Sequence, residues 1–375
     1  MADWDEINGV DSDNVVKIKG VAKANIEKVF GATTPASAAN RWVVGSTSGR
    51  IFHTAASDAA SGWEELVDLG GNNYKDLAYG KDNSGVTRLI VHASNNTNEI
   101  AYINDDGDVD LTDAGNWTEV NHSTNYKSTD NGPGIAWGNN VWIHGGTTGA
   151  VTRPVGGTTY YDGPNKSTDG GASWTKIDVD NTVNSAIDTI CYKSGSTWLM
   201  AIKDVVWKST NDGDTWSSLG AVESGKRISS MAYNGTGRWC AVLDSDNVWY
   251  SDDDGSNWSE VSGGAWGGTW RPNGVVWVAG SINKWVVCGN NGRLAYSADL
   301  ANDGFTAIWE GDDSSWSTTH IKGIATDNTT VVIVGQSGKV ATSSNATSFT
   351  VRAITGNPTN TLNRVACDVI GAGMR

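Results

Sequence analysis

No apolar run in this 375-residue chain approaches the roughly 18 residues that a membrane-crossing helix needs, so nothing in it reads as a span. The opening residues, MADWDEINGV, have neither a basic n-region nor an apolar h-region, and no secretory signal is visible. A basic excess is also missing. Lys and Arg total 27 against 42 Asp and Glu, and the net charge of −15 argues against electrostatic binding to nucleic acid or an anionic membrane. Cysteine is scarce, and Cys191, Cys240, Cys288 and Cys367 show no CxxC spacing. Each falls within an apolar strand pattern, so buried free thiols are expected rather than disulfides or a metal site. The five histidines lack metal-ligand or triad spacing. With no convincing helical pattern, no glycine-rich phosphate loop runs from a strand into a helix. No cofactor and no metal are expected.

What is abundant is glycine (46) and tryptophan (19), with many Ser, Thr, Asn and Asp and only 6 prolines. That is the composition of an all-β chain rich in turns, and at this length repeats come before domains.

One repeat is Ser-x-Asp-x-Gly-x-x-Trp, at Ser167–Trp174 (STDGGASW) and Ser251–Trp258 (SDDDGSNW); Ser209–Trp216 (STNDGDTW) has Asn211 for the aspartate. In a tight hairpin, Asp169, Asn211 or Asp253 bonds backbone amides of its own turn. Glycine takes the conformation other residues resist, and Trp174, Trp216 or Trp258 packs on a strand. Weaker copies keep Asp58 and Trp63, Ser297 with Asp299, and the hairpin of Thr342–Phe349. The pattern resembles the Asp-box, or bacterial neuraminidase repeat, of β-propellers. In those proteins it is a folding device on the outer part of a blade, so the resemblance implies a structural role for these residues.

Two longer periodicities agree with this. Second strands begin at Trp42, Leu89, Val141, Trp198, Trp239, Trp285 and Val331, spacings of 47, 52, 57, 41, 46 and 46 residues that suit four-stranded blades. Inner strands read apolar-x-x-apolar-Ala-aromatic at Tyr74–Tyr79, Ile187–Tyr192 and Ile228–Tyr233, with looser copies ending at Trp137, Trp277 and Thr326. Leu362–Cys367 is a seventh copy with no blade after it, whereas Trp42 has no inner strand before it. The expected fold is a seven-bladed β-propeller over residues 41–375, closed by pairing of its two ends.

Residues 1–32 carry a three-copy 11-residue repeat starting at Asp3, Asn14 and Asn25, each unit a short strand stopped by Gly9, Gly20 or Gly31. Residues 33–40 read as a linker. The units resemble repeats that open tail and fibre-like structural proteins of bacteriophages. That resemblance implies an assembly anchor for 3–32, contacting sister chains or other virion proteins in an oligomer or larger assembly. The alternative is an extension that merely packs on the propeller.

Chemistry is harder to place. Trp266, Trp270 and Arg271 lie in one connection between blades, Trp316 in the next, and Arg153 in the longest loop (Gly145–Thr159) on the same face. As aromatics and cations on loops above a rigid scaffold they are the candidate ligand-binding residues; the alternative for the tryptophans is capping the core. Asp106, Asp108 and Asp110 alternate as in a calcium loop, but Leu111 stands where glycine is needed, favouring a solvated acidic hairpin. Sialidases, which share the box, require an Arg-Ile-Pro signature; Arg153-Pro154 lacks its middle residue. Asp76, Asp188 and Asp368 lie on or beside inner strands, yet nothing in the sequence brings a chosen pair together for glycoside hydrolysis. Photosystem II assembly-factor propellers, a more distant Asp-box resemblance, imply a targeting segment and a basic patch, and this chain shows neither. The expectation is a non-enzymatic phage virion protein that displays its propeller for adhesion to a host glycan or protein, or for decoration. The alternative is a glycoside hydrolase acting on surface polysaccharide.

Overall fold

A computed structural model describes residues 17–18, 21–22, 41–55, 59–70, 73–93, 100–106, 109–120, 134–145, 150–152, 159–161, 163–177, 179, 187–262, 270–310, 316–356 and 359–368. Seven antiparallel four-stranded sheets form the blades of a ring. Blade one takes strands from both ends of the chain: Leu362–Cys367 pairs with Trp42–Ser46, followed outward by Arg50–Thr54 and Glu64–Asp68. The register, Trp42 opposite Cys367 and Val44 opposite Val365, is the expected closure.

The other blades follow the chain. Their inner strands are Tyr74–Lys81, Ile135–Gly138, Ile187–Ser194, Ile228–Tyr233, Pro272–Val278 and Ile321–Thr326. Each pairs with a second strand, such as Val141–His144, Thr197–Ile202 or Trp239–Leu243. Second strands such as Trp42–Ser46 and Trp239–Leu243 are buried at every position because neighbouring blades cover both faces. Outer strands such as Ser217–Ala221 have no further neighbour and stay mostly exposed. This gradient explains why the second strands are the plainest apolar runs in the sequence.

The Ser-x-Asp-x-Gly-x-x-Trp segments fold as their chemistry predicts. In the second of them, Ser209 Oγ donates to Asn211 Oδ1 (2.9 Å) and accepts from the Gly213 amide (2.9 Å). Asn211 Oδ1 accepts from the Thr215 amide (3.0 Å), and Trp216 Nε1 donates to the Gly213 carbonyl (3.0 Å). Asp169 and Asp253 take the same place in their own turns. Asp212 and Gly213 adopt consecutive left-handed conformations, φ 56° and 82°.

These turns also lock blades together. The residue after that Asp or Asn reaches the neighbouring blade: Asn139 Nδ2 donates to Asp212 (2.9 Å), and Lys193 to Asp254 (2.5 Å). The corresponding tryptophan in blade one, Trp63, is buried and donates to the Ala59 carbonyl (2.8 Å). Its own carbonyl accepts from the Thr355 amide of blade seven (2.8 Å), sealing the closing seam. Asp58 lies outside the described residues.

Lys17–Ile18 pairs antiparallel with Val21–Ala22; Gly20, the expected stop, lies outside the described residues. The other repeat units and the linker lie outside the described residues. The long loop after Gly145 is not wholly irregular, since Ala150–Thr152 pairs with Thr159–Tyr161. The acidic hairpin folds around buried Leu111 and Trp117, with Asp110 accepting from the amide and hydroxyl of Thr112 (2.9 and 2.7 Å). All four cysteines are free and buried.

Candidate functional site: the axial mouth

Inner strands start at the face carrying the connections between blades and end at the opposite face. On six of them the ladder skips one residue near its start: Asn363, Lys75, Asp188, Ser229, Asn273 and Lys322. Such a bulge re-aims side chains where the strand begins. Repeated around the ring, it concentrates polar groups at one end of the axis. Residues from all seven blades, among them Asp76, Gly134, Asp188, Ser230, Asn273, Gly323 and Arg364, line an axial cavity of about 20 Å³, room for about one water molecule.

Two sequence-proposed carboxylates meet there. Asp76 Oδ1 accepts from the Leu77 amide (2.9 Å) and stands 3.8 Å from Arg364 Nε; Oδ2 accepts from the Ile135 amide of the next blade (3.2 Å). Asp188 Oδ2 accepts from the Lys203 amide (3.1 Å) and pairs with Arg227 Nε (3.1 Å). Burial pushes the Asp188 carboxyl up to about 7, opposed by Arg227 and the Lys203 amide and reinforced by Asp244. Asp368 does not join them. It follows the last inner strand, at the other end of the axis, where its amide donates to the Arg41 carbonyl (3.1 Å).

Cations gather on the arc formed by blades seven, one and two. Arg364 Nη1 donates to the Lys322 carbonyl (2.5 Å). Burial, then the charges of Arg364 and Lys75, hold the Lys322 ammonium below the usual lysine range. Sequence reading missed Lys75, Arg227, Lys322 and Arg364. The available signal was their place beside the start of an inner strand, but its meaning depends on the bulge.

The loop residues named from the sequence divide differently. Trp270 is 0% exposed and packs among core residues of blades five and six, including Ala232, Val242 and Trp285. Trp316, 1% exposed, stacks on Trp309 with centroids 5.7 Å apart; its Nε1 donates to the Thr319 carbonyl (3.1 Å), and its own carbonyl accepts from Lys339. Both therefore cap the core instead of forming an exposed platform. Apolar area is better sheltered between loops and blade ends than left in water. Arg271 is exposed, and its carbonyl accepts from the Asn290 amide (2.9 Å). Trp266 and Arg153 lie outside the described residues.

Cations elsewhere serve the scaffold. Arg238 pairs with Asp252 (2.6 Å) and Asp299 (2.7 Å) and lies over the Tyr250 ring; Arg88 joins Asp82, Asn104 and the Gly170 carbonyl. Among the described residues no cluster of three or more His, Cys, Asp or Glu side chains is arranged to hold a metal, and no helix is long and apolar enough to cross a membrane.

No family model matches the chain. No curated protein matches it either. Among solved structures it is similar to YCF48 bound to D1 peptide (TM-score 0.53, 13% identity, covering 75% of this chain and 81% of that one). It is also similar to YCF48 from Cyanidioschyzon merolae (TM-score 0.52, 13% identity, 83% and 87% covered). A third likeness is to the WD40 β-propeller domain of Doa1 (TM-score 0.51, 10% identity, 76% and 83% covered). At these identities the likeness is one of fold, and the fold is an all-β, seven-bladed propeller closed by pairing of its terminal strands.

Proposed function

We propose that this chain is a non-enzymatic structural and binding protein whose partner, a host-surface glycan or protein, docks on the connection face at the axial mouth. On this reading residues 3–32 anchor it in a larger assembly, the surface of a bacteriophage particle, and the propeller points outward. The observation that carries the binding role is the commitment of both axial carboxylates. Asp76 and Asp188 are held by backbone amides and arginines around a cavity with no room for a sugar ring. On this reading they serve to fix the mouth rather than to straddle a glycosidic bond. The propeller solved with a bound peptide supports a protein partner for this architecture. The hydrogen-bonded Ser-x-Asp-x-Gly-x-x-Trp turns support their reading as Asp-boxes with a folding role. The phage assignment rests on the wording of the N-terminal repeat and the acidic, soluble-type surface.

One observation favours the rival. Asp188, with its carboxyl raised to about 7, shares a cavity with Asp76, and an elevated acid beside a second carboxylate is the raw material of a glycoside hydrolase. Incubation with host polysaccharides separates the two. Binding without release of reducing ends is expected. Reducing ends released by the intact chain and lost on Asp188→Asn would establish the hydrolase instead.

A further inference from the structure

Blade two has histidines on both of its borders. His92, on its second strand Thr87–Ala93, is 2% exposed, and His144, on the second strand of blade three, is 0% exposed. Their rings meet across the seam with centroids 5.4 Å apart, and Trp174 stands at 81° to the His144 ring, 4.6 Å away. His144 Nδ1 donates to the Gly145 carbonyl (2.8 Å), so a proton gained in acid goes to Nε2. On the other border, His53 of blade one lies 3.5 Å from Glu64 Oε1, and the other charges acting on it are Arg41 and Asp105 of blade two. The fourth described histidine, His320, belongs to the connection face, where its Nδ1 accepts from the Asn291 amide (3.0 Å).

The surroundings oppose added positive charge. In the ladders His92 is opposite Asp76 and Ile100, and His144 is opposite Ile135 and Asn165. Lys176 lies beyond Asn165 on the next strand, and Arg88, joined to Asp82, occupies the far end of the same seam. The carboxylate beside the pair is Asp76, which also accepts from the Leu77 and Ile135 amides and stands 3.8 Å from Arg364. It can offset one imidazolium; two imidazoliums in contact in a buried seam repel each other. At His53, burial and then Arg41 hold the imidazole below the ordinary histidine value of 6.5, against the pull of Glu64 and Asp105. Asp105 also accepts from the Tyr79 hydroxyl (2.8 Å). A group held below its ordinary value stabilises the fold above that value, and the contribution is lost as pH falls through the lowered one. We propose that blade two is the acid-sensitive blade of the ring: proton uptake by His92 and His144 on one border and His53 on the other loosens both of its seams while the remaining blades stay closed. The second strands of blades five and six, Trp239–Leu243 and Lys284–Gly289, carry no histidine.

The test is amide hydrogen exchange on the intact chain at about pH 7.5 and about pH 5, expressed as protection factors so that the intrinsic pH dependence of exchange cancels. Protection of Leu89, Ile90 and Val91 in blade two should fall in acid by about tenfold or more relative to Ala241 of blade five and Val286 of blade six, as for one pKa unit of differential protonation. His144→Asn keeps a donor for the Gly145 carbonyl and His53→Gln keeps one for Glu64, but neither new side chain takes up a proton. Each variant alone should reduce the selective fall, and the two combined should reduce it further. A fall equal in all three blades to within about twofold, or one greatest outside blade two, would overturn the proposal. A selective fall that persists unchanged in the combined variant would overturn it as well. So would protection of blade two that rises in acid, the sign expected of imidazoles already held charged by Asp76 or Glu64 at neutral pH. The comparison between blades is made within the wild type, so it decides the case even where a variant does not fold.

Discussion

Gly213 meets Ile143 across the seam between blades four and three: a Cβ on the glycine would lie 2.5 Å from the isoleucine Cδ1. Gly171 stands in the same relation to Ile90 of blade two, and Gly255, at 3.1 Å, to Leu199 of blade four. In each case the turn glycine faces a side chain of the preceding blade's second strand. It is required twice, once for its left-handed φ and once for the close approach of two sheets.

Gly213→Ala should therefore destabilise the propeller by on the order of 3 kcal/mol, combining backbone strain with overpacking. Shortening the opposing side chain tests the cause. In the double variant Gly213→Ala with Ile143→Ala, urea unfolding should show a total loss smaller than the sum of the single losses, by at least about 0.5 kcal/mol. Strict additivity would mean that the seam contact contributes nothing.

The tryptophans that close the turns are not equivalent. Trp216 is buried in the cluster that holds Ile143 and Met200, whereas Trp258 is half-buried beside its own cluster. Trp216→Ala should cost about 3–5 kcal/mol, the range for emptying a buried aromatic site. Trp258→Ala should cost clearly less, because part of its ring already meets water. Equal midpoint shifts in denaturant titrations would contradict this ranking.

Closure makes its own demand. Removal of residues 362–375 takes away the strand opposite Trp42–Ser46 and leaves that fully buried strand with an open edge. Removal of 369–375 alone keeps the pairing. The longer deletion should abolish the cooperative melting transition, and the shorter one should lower its midpoint by a few degrees at most, as for a loss of under about 1 kcal/mol. Matching melting curves for the two would refute the role given to Leu362–Cys367.

The ring was legible in the sequence because its signals repeat. Seven apolar second strands and an orphan copy at Leu362–Cys367 predict both blade number and closure, since each copy checks the others. The site was less legible because it depends on what a repeat cannot show. Trp270 and Trp316 lie in connections and read as exposed, but neighbouring loops enclose them; burial of a loop residue is set by partners distant in sequence. Asp76 and Asp188 belong to blades two and four, and only the curvature of the ring brings them to one cavity. Lys75 and Lys322 look like solvent-facing members of alternating strands. Each is itself the bulged residue near the start of its inner strand, and the alternation does not show that.

Asp188 supplies a prediction in pH. Its carboxyl titrates near 7 in the folded chain, above the ordinary value of 3.8, because burial penalises the charged form more than Arg227 and the Lys203 amide favour it. The folded state therefore binds this proton more tightly than the unfolded state. The resulting stability is fully present below about pH 4 and is lost as pH rises through about 7. Asp188→Asn removes the titration while keeping a side chain of the same shape. Arg227, partly open to solvent, can turn to water when its partner is neutral. The stability of the wild type relative to the variant should thus fall between pH 4 and pH 7, by at most about 4 kcal/mol for a shift of about three pKa units, and level off above pH 8. Urea unfolding of both proteins at pH 4.5, 6 and 8 measures the difference directly, because other titrating groups cancel between them. A difference that stays constant over this range, or that grows with pH, would show that the Arg227 pair outweighs burial and that Asp188 is ionised throughout.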